Sequence, residues 1–310
     1  MTASIRFSVL AMPDIFLDHS LQAGEPDKFV QSLRWTAPRG TRMHATQWLS
    51  LGGNAYNFGL HMARLGCAVT MVSATSTTVL EMVRRETRGL RFSTDFVETD
   101  NDPSLTVALE FRDSRGSRAL NINHPGSLNG FGPDRFPKKL ERRKYDIVSV
   151  FNFTNNTLGP QLASRVFSRM KGLKLMDLPD AASGFSDREG LKSAIELCDV
   201  ISATPEEVVS AAKLLKLSRT SGVRSAAIAL SSMGPRIGIH SASDSIEVFE
   251  GKAVVHRSKP IPLPSTTGAG DCWTAAFALS LLRGENPSAR LEFSSRYATE
   301  MLLKRARAPK

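Results

Sequence analysis

The chain has 310 residues, of which 41% are hydrophobic, and a formal net charge of +10 at pH 7. This length can bury a sizeable core, so one large α/β domain is as reasonable as two. No early apolar run resembles a signal peptide and none could span a bilayer, so we expect a soluble, cytoplasmic protein without a membrane partner. Three cysteines without a CxxC pair argue against disulfides and a zinc site. The basic runs at 138–144 and 304–307 lack interleaved aromatic residues, so we expect no nucleic-acid partner.

Apolar strand-like segments alternate with helical patterns along most of the chain. Strands are expected at 5–11, 67–72, 146–151, 173–176, 199–202 and 226–230, and helices at 158–171 and 206–217. The alternation predicts an α/β fold with a doubly wound, mainly parallel sheet, in one domain that spans residues 1–310. Two intervals, about 19–50 and 105–122, break this rhythm and are predicted to be extended segments with turns.

The first informative motif occupies residues 51–66. Gly52 and Gly53 precede a predicted helix that carries Phe58 and Met62 on one face. The two glycines expose peptide groups to a polar ligand, and Asn57 can offer a donor and an acceptor to a hydroxyl. An ordinary turn and helix start would use the same residues, so this motif alone does not decide between the two interpretations.

The second motif is Ser-Thr-Thr-Gly-Ala-Gly-Asp at 265–271, which runs directly into an apolar helix. Backbone N–H groups at a helix start form a site for phosphate-like charge, and Gly268 and Gly270 allow an oxygen to approach closely. Asp271 stands beside that site and can accept a proton from an attacking hydroxyl. An anion site next to a base is what phosphoryl transfer to an alcohol requires, although a glycine-rich turn capped by an aspartate is the simpler alternative.

Together, the two motifs resemble the signatures of the ribokinase-like (PfkB) carbohydrate kinase family, a GGxxxN-helix-ARLG segment and a DTxGAGD-helix segment. Both occur in the same order and at the expected separation, and the resemblance spans nearly the whole chain. It implies a ribokinase-like fold in which the two irregular intervals form a small β lid that covers the sugar and mediates a homodimer. It also implies an ATP-dependent kinase that transfers the γ-phosphate to a hydroxyl of a sugar or related small molecule, with Mg²⁺ on the phosphates.

The resemblance assigns roles to individual residues. Asp271 is the expected base, and Gly268, Ala269 and Gly270 form the expected anion hole. The expected substrate contacts are Asp18, with Asp14 as the second candidate for the same role, Gly52, Gly53, Asn57 and Asn152. Nucleotide contacts are expected at Thr204, Ser231, Gly234 and Thr266, and Glu207 is expected to reach the metal through water. Residues 204–207 also read as a helix capping box, and both interpretations of them can hold together.

The chain departs from the family pattern at several positions. Ser265 replaces the aspartate that many members use to bind an activating monovalent cation, so we do not expect potassium activation. Thr204 replaces an asparagine and Ser231 a glycine. Two alternatives to a sugar kinase stay open. One is a nucleoside kinase, for which Phe16 and Tyr56 are candidate stacking residues, and the other is a catalytically silent member that binds a metabolite and regulates.

Overall fold

The computed structural model describes residues 7–36, 44–113, 116–180, 183–218, 220–261 and 268–307. The strands in these ranges are β1 (Ser8–Met12), β2 (Phe16–Gly24), β3 (Gln47–Gly52), β4 (Ala68–Thr75), β5 (Phe92–Thr99), β6 (Ser104–Asp113), β7 (Gly116–His124), β8 (Ile147–Val150), β9 (Leu173–Asp177), β10 (Val200–Ala203), β11 (Arg236–His240), β12 (Asp244–Phe249) and β13 (Lys252–Arg257). The helices are α1 (Pro26–Thr36), α2 (Asn54–Arg64), α3 (Thr77–Glu86), α4 (Gly159–Arg169), α5 (Arg188–Leu197), α6 (Pro205–Leu214), α7 (Val223–Ser231), α8 (Ala269–Leu282) and α9 (Pro287–Arg307). None of the helices in the described part of the chain is long and apolar enough to cross a membrane.

Nine strands form the main sheet, in the order β13-β12-β11-β10-β9-β8-β1-β4-β5. Every neighbouring pair from β5 to β11 is parallel, whereas β12 and β13 are added antiparallel at one edge. Consecutive residues of β1 enter different buried clusters, Leu10 on one face and Val9 on the other. Helices cover both faces, as a mainly parallel sheet requires. The predicted doubly wound sheet is confirmed.

Three strands at the centre of the sheet end at the same level. Met12 of β1 is paired with Val150 of β8, and Val150 with Met176 of β9. Because these strands are parallel, the residues at and just beyond their carboxyl ends gather at one edge of the sheet. Ligands bind at such an edge in open α/β sheets.

The two irregular intervals contribute a smaller, four-stranded sheet in the order β3-β2-β6-β7. The expectation of extended structure is correct for these strands but wrong for the middle of the first interval, because α1 lies there. The ring of Phe29 on α1 packs edge-on against that of Phe111 on β6, with 5.3 Å between ring centroids. An amphipathic helix thus covers part of the smaller sheet.

A second prediction, the strand at 226–230, is also wrong. These residues belong to α7, where Ala226, Ala227 and Leu230 are buried. A short apolar run rich in alanine fits a buried strand or a buried helix face equally, and packing decided in favour of the helix. The strand that pairs with β10 is β11 instead. The other predicted strands and helices are present, with small shifts at their ends.

Candidate active site

The two glycine-rich motifs meet at the starts of α2 and α8. Asn57 lies in the first turn of α2 and Asp271 in the first turn of α8. Asn57 Nδ2 donates a hydrogen bond to Asp271 Oδ2 at 2.9 Å, across 214 residues of sequence. The side chains predicted to hold the acceptor and to accept its proton are therefore direct neighbours.

The helix start at α8 has the geometry of an anion site. Gly268 is the N-cap and adopts a left-handed backbone with φ +78°. Glycine adopts this conformation at no steric cost, so the chain can turn directly into the helix with its first N–H groups free of side chains. The positive end of the helix dipole then faces the space beside Asp271.

Asp271 is only partly exposed, and this position changes its acidity. Burial raises the pKa of Asp271 to about 8, the hydrogen bond from Asn57 lowers the pKa, and the negative charges of Asp14, Glu207 and Asp18 raise it. A base whose pKa lies close to the working pH combines a useful ionised fraction with a strong affinity for the proton. The carboxylate is therefore suited to accept a proton from a hydroxyl.

His240, which the sequence analysis missed, packs under the same helix start. A Cβ on Gly270 would lie 2.7 Å from His240 Cε1, which is closer than real side chains approach. The imidazole ring also lies 5.3 Å from the indole of Trp273, between centroids, and burial lowers the pKa of His240 to about 4. Gly270 is thus required by packing, and the ring beside it is neutral. The wrong strand prediction at 226–230 hid the fact that His240 ends a strand.

Asp14, which belongs to a separate segment of the chain, caps the start of α2. Its Oδ2 accepts from the N–H of Asn54 at 2.6 Å and from Asn152 Nδ2 at 3.0 Å, and its Oδ1 accepts from the N–H of Ala55 at 2.9 Å. Asp14 is fully buried. Burial raises its pKa, although the three bonds act in the opposite direction. Gly53 must lack a side chain, since a Cβ there would lie 2.8 Å from Asp14 Oδ2.

Asp177 and Asn54 extend this network and were also missed from the sequence. Asn54 Nδ2 donates to Asp177 Oδ2 at 2.8 Å, and the N–H of Asn152 donates to both carboxylate oxygens of Asp177 at 3.0 Å. Asn152 holds a left-handed backbone with φ +61°, and its Oδ1 accepts from Asn155 Nδ2 at 2.9 Å. The position of Asp177 at the end of an apolar strand was the one available signal.

Asp18, the first candidate for the sugar aspartate, lies in a different element from Asp14. It is on β2, paired with Ser50 of β3, and its Oδ2 would lie 2.0 Å from a Cβ on Gly52. Burial raises the pKa of Asp18, while a hydrogen bond donated by the Thr106 side chain and the charge of Arg305 lower it. Gly52 thus leaves room for the carboxylate of Asp18. Both aspartates act electrostatically on Asp271, so both border the same site.

Of the residues predicted to contact the nucleotide and its metal, Thr204 and Glu207 lie at the start of α6. The capping box exists, because the N–H of Glu207 donates to Thr204 Oγ1 at 3.3 Å and the N–H of Thr204 donates to Glu207 Oε2 at 2.8 Å. Burial raises the pKa of Glu207 to about 7. Ser231 is the last residue of α7 and Gly234 follows that helix, so a position after a strand no longer supports either residue as a nucleotide contact.

Ser265 and Thr266 lie outside the described residues. In the described part of the chain, no group of three or more His, Cys, Asp or Glu side chains could hold a metal ion. Carboxylates such as Glu207 supply the hard oxygen atoms that suit Mg²⁺ bound to a nucleotide through its waters.

Comparisons with known proteins identify the family and the fold. The pfkB family carbohydrate kinase model matches residues 29–308. Ribokinase from Thermotoga maritima is 17% identical with a TM-score of 0.73, over 96% of this chain and 92% of that one. A nucleoside kinase from Methanocaldococcus jannaschii is 14% identical with a TM-score of 0.74, over 96% and 91%. Arabidopsis thaliana ribokinase, solved with ribose and ATP, is 17% identical with a TM-score of 0.73, over 96% and 93%.

At these identities the structural likeness shows the fold alone, and no curated protein sequence matches the chain. The family model covers most of the sequence, including both glycine-rich motifs. The chain belongs to the pfkB family of carbohydrate kinases, which are phosphotransferases.

Proposed function

We propose that the protein is an ATP-dependent kinase that transfers the γ-phosphate to a hydroxyl of a sugar or related small molecule. The observation that carries this proposal is the contact between Asn57 and Asp271, which joins a polar substrate-binding helix start to a base at an anion site. A half-buried carboxylate with a pKa raised to about 8, beside the N-terminus of a helix, has little purpose in a purely structural helix start.

The transfer proceeds in line. The acceptor lies between Asp18, Gly53 and Asn57, with its hydroxyl directed at Asp271. As the hydroxyl oxygen forms its bond to the γ-phosphorus, its proton passes to the Asp271 carboxylate and the bond to the leaving ADP oxygen breaks. The N–H groups of Gly268, Ala269 and Gly270 stabilise charge on the transferring group, a preorganised effect that is worth about 3–4 kcal/mol per donor in comparable sites.

Magnesium, when bound with ATP, neutralises charge on the phosphates, and Glu207 is the residue that would hold one of its waters. Thr204 fixes Glu207 through the capping box, so the carboxylate is already oriented. Because the donor is ATP, we place the enzyme in the cytoplasm.

A nucleoside acceptor is the second candidate, since nucleoside kinases share this fold. The two aromatic residues considered for stacking on a base do not favour it. Phe16 is 3% exposed and Tyr56 is fully buried, with its hydroxyl donating to Glu86 Oε2 at 3.0 Å. Both rings belong to the core.

We also propose a homodimer through the smaller sheet. Leu49, Val107 and Ile122 lie in one cross-strand row that passes through His19, and Leu120 lies two residues before Ile122 on β7. Leu49, Leu120 and Ile122 are each more than half exposed, at 58%, 53% and 55%. An apolar sheet face of this kind marks an interaction surface. Ile122→Lys should convert the dimer to a monomer in light scattering, and a wild-type monomer would refute this interface.

The activity test is coupled ADP release with ATP across sugars, nucleosides and sugar acids, with and without EDTA. We expect release with at least one acceptor, dependent on magnesium and lost in Asp271→Asn. Absence of release with every acceptor, combined with tight binding of a metabolite, would instead support the catalytically silent regulator.

A further inference from the structure

A cleft of about 1110 Å³ opens beside the proposed phosphoryl-transfer site. It follows α2 from Asn57 to Arg64, between the end of α3 and the last turns of α9, and Gly268 and Cys272 of α8 line its inner end. Its volume lies just above the range of about 300–1,000 Å³ that is typical of small-molecule sites. Asn57 lines this cleft and also contacts Asp271. Asn57 therefore connects the cleft with the proposed base, Asp271.

The charges around this cleft are mainly positive. Its described lining contains four basic side chains and two acidic ones, namely Arg64, Arg85, Lys304, Arg305, Glu86 and Glu300. Arg64 Nη2 lies 3.4 Å from Glu86 Oε1, so these two charges offset each other. His61 adds no charge near neutral pH, because burial lowers its pKa to about 4. The described lining thus contains two more basic than acidic side chains, a balance that favours an anionic ligand.

The positively charged guanidinium of Arg305 lies next to the predicted anion hole. Its Nη1 lies 3.7 Å from the position that a Cβ on Gly268 would occupy, and Asn57 Nδ2 lies 3.9 Å from the same position. The guanidinium and the residue that touches the base thus flank one glycine. The charge of Arg305 also acts on Asp18, on the acceptor side. A sugar-sized molecule with its hydroxyl at Asp271 can therefore reach Arg305 with its other end.

We propose that the acceptor carries an anionic substituent, a carboxylate or a phosphate, besides the hydroxyl that is phosphorylated, and that Arg305 binds it. This rests on the proposed kinase function and adds the class of acceptor. The planar guanidinium suits both substituents, since its parallel N–H groups match two oxygens of either one. Arg85 and Lys304 at the outer part of the cleft add attraction without fixed geometry.

The test measures binding to the full chain by calorimetry without nucleotide. Ribose is compared with ribonate, and glucose with gluconate and glucose 6-phosphate, so that one arm carries a carboxylate and the other a phosphate. We expect at least one anion to bind about tenfold or more tightly than its neutral parent, the gain from one charged hydrogen-bonded contact. Arg305→Gln should remove most of this preference, and Arg305→Lys should keep part of it.

Two matched variants control for net charge. Arg296→Gln removes one charge from α9 outside the cleft lining. Arg84→Gln is the partner of Arg85→Gln, because Arg84 Nε donates to Thr94 Oγ1 at 3.3 Å and is not part of the lining. Both controls should leave the preference for anions unchanged, whereas Arg85→Gln should reduce it by a smaller factor than Arg305→Gln.

Equal affinity for anions and their neutral parents overturns the proposal, and so does a preference that persists in Arg305→Gln. Turnover that falls equally with neutral and anionic acceptors in Arg305→Gln also overturns it, and assigns the guanidinium to the transferring phosphoryl group. ADP release separates this inference from the kinase function. Anion binding without ADP release refutes only the kinase, and ADP release with neutral acceptors alone refutes only the anion site.

Discussion

The helices that meet at the candidate site, α2 and α8, each begin beside a buried or half-buried aspartate, but the two carboxylates are bonded in different ways. Asp14 accepts three hydrogen bonds, two of them from the first N–H groups of α2. Asp271 belongs to the first turn of its own helix and accepts, among the described residues, one side-chain bond, from Asn57. A carboxylate whose oxygens are engaged by the backbone stabilises a helix start, whereas one with remaining acceptor capacity can take a proton.

The loss of the base should have the largest effect. Asp271→Asn keeps the size and the contact with Asn57 but cannot accept a proton, so we expect kcat to fall by about 100-fold or more. The KM for ATP should change little, because the backbone anion hole is retained. Coupled ADP release measures both constants. A variant with near wild-type kcat would remove Asp271 from the mechanism.

The corresponding change at α2 should act on stability instead. Asp14→Ala leaves two helix N–H groups and Asn152 Nδ2 without their acceptor, at a cost of about 2–3 kcal/mol in the free energy of unfolding. Asp187→Ala is a matched control, because Asp187 caps α5 through a single bond to the N–H of Gly190. We expect it to cost about 1 kcal/mol. Urea denaturation compares the variants, and equal losses would show that the network around Asp14 adds nothing to an ordinary cap.

Substitutions at Asp18 and Asn57 should distinguish acceptor binding from proton transfer. Asp18→Ala should raise the KM for the acceptor by the equivalent of about 1–3 kcal/mol and leave the KM for ATP unchanged. Asn57→Ala should also move the pH profile of kcat upward, because the bond from Asn57 lowers the pKa of Asp271. Initial rates measured at several pH values distinguish the change in the KM for the acceptor from the shift in the pH profile. An equal increase in the KM for the acceptor and in the KM for ATP would indicate misfolding or a different register.

The raised pKa of Asp271 predicts that the folded state becomes less stable as the pH rises from about 4 to about 8. Its folded pKa of about 8 exceeds the ordinary 3.8, so between these values the folded state binds more protons than the unfolded state. Ionisation therefore destabilises the fold, and this penalty is absent below pH 3.8 and grows until about pH 8. Asp271→Asn should melt at a higher temperature than wild type at pH 8 and at a similar temperature at pH 4. The opposite order would contradict the pKa assignment.

The smallest expected effect is the response to potassium. Ser265 offers a neutral hydroxyl where a carboxylate would bind a monovalent cation, and a hard cation prefers charged or carbonyl oxygens. Rates in potassium should match those in a bulky organic cation at equal ionic strength. A several-fold activation specific to potassium would show that other oxygen atoms suffice to form the site.

Much of the fold could be predicted, because its signals are local. Alternating apolar segments and glycine-ended helices specified five of the nine strands of the main sheet and the helices α2, α4, α6 and α8, but not the strands β5, β11, β12 and β13. The prediction of a strand at 226–230 failed for a physical reason. An alanine-rich run has no periodicity that distinguishes a strand from a buried helix face. Likewise, α1 was missed inside an interval that was predicted to be extended. Its packing of Phe29 on Phe111 is a contact across 82 residues of sequence, which a local pattern cannot show.

The sequence by itself determined the family and singled out Asn57 and Asp271, which the structure places in contact, because these residues lie in motifs whose backbone demands are local. Only the tertiary structure separated Asp14 from Asp18, added Asn54, Asp177 and His240, and brought Arg305 from the last turn of α9 to Gly268. The reason is physical. The carboxyl ends of β1, β8 and β9 and the start of α2 converge only after the sheet forms, and hydrogen bonds between buried polar groups follow from that register and not from their neighbours in sequence.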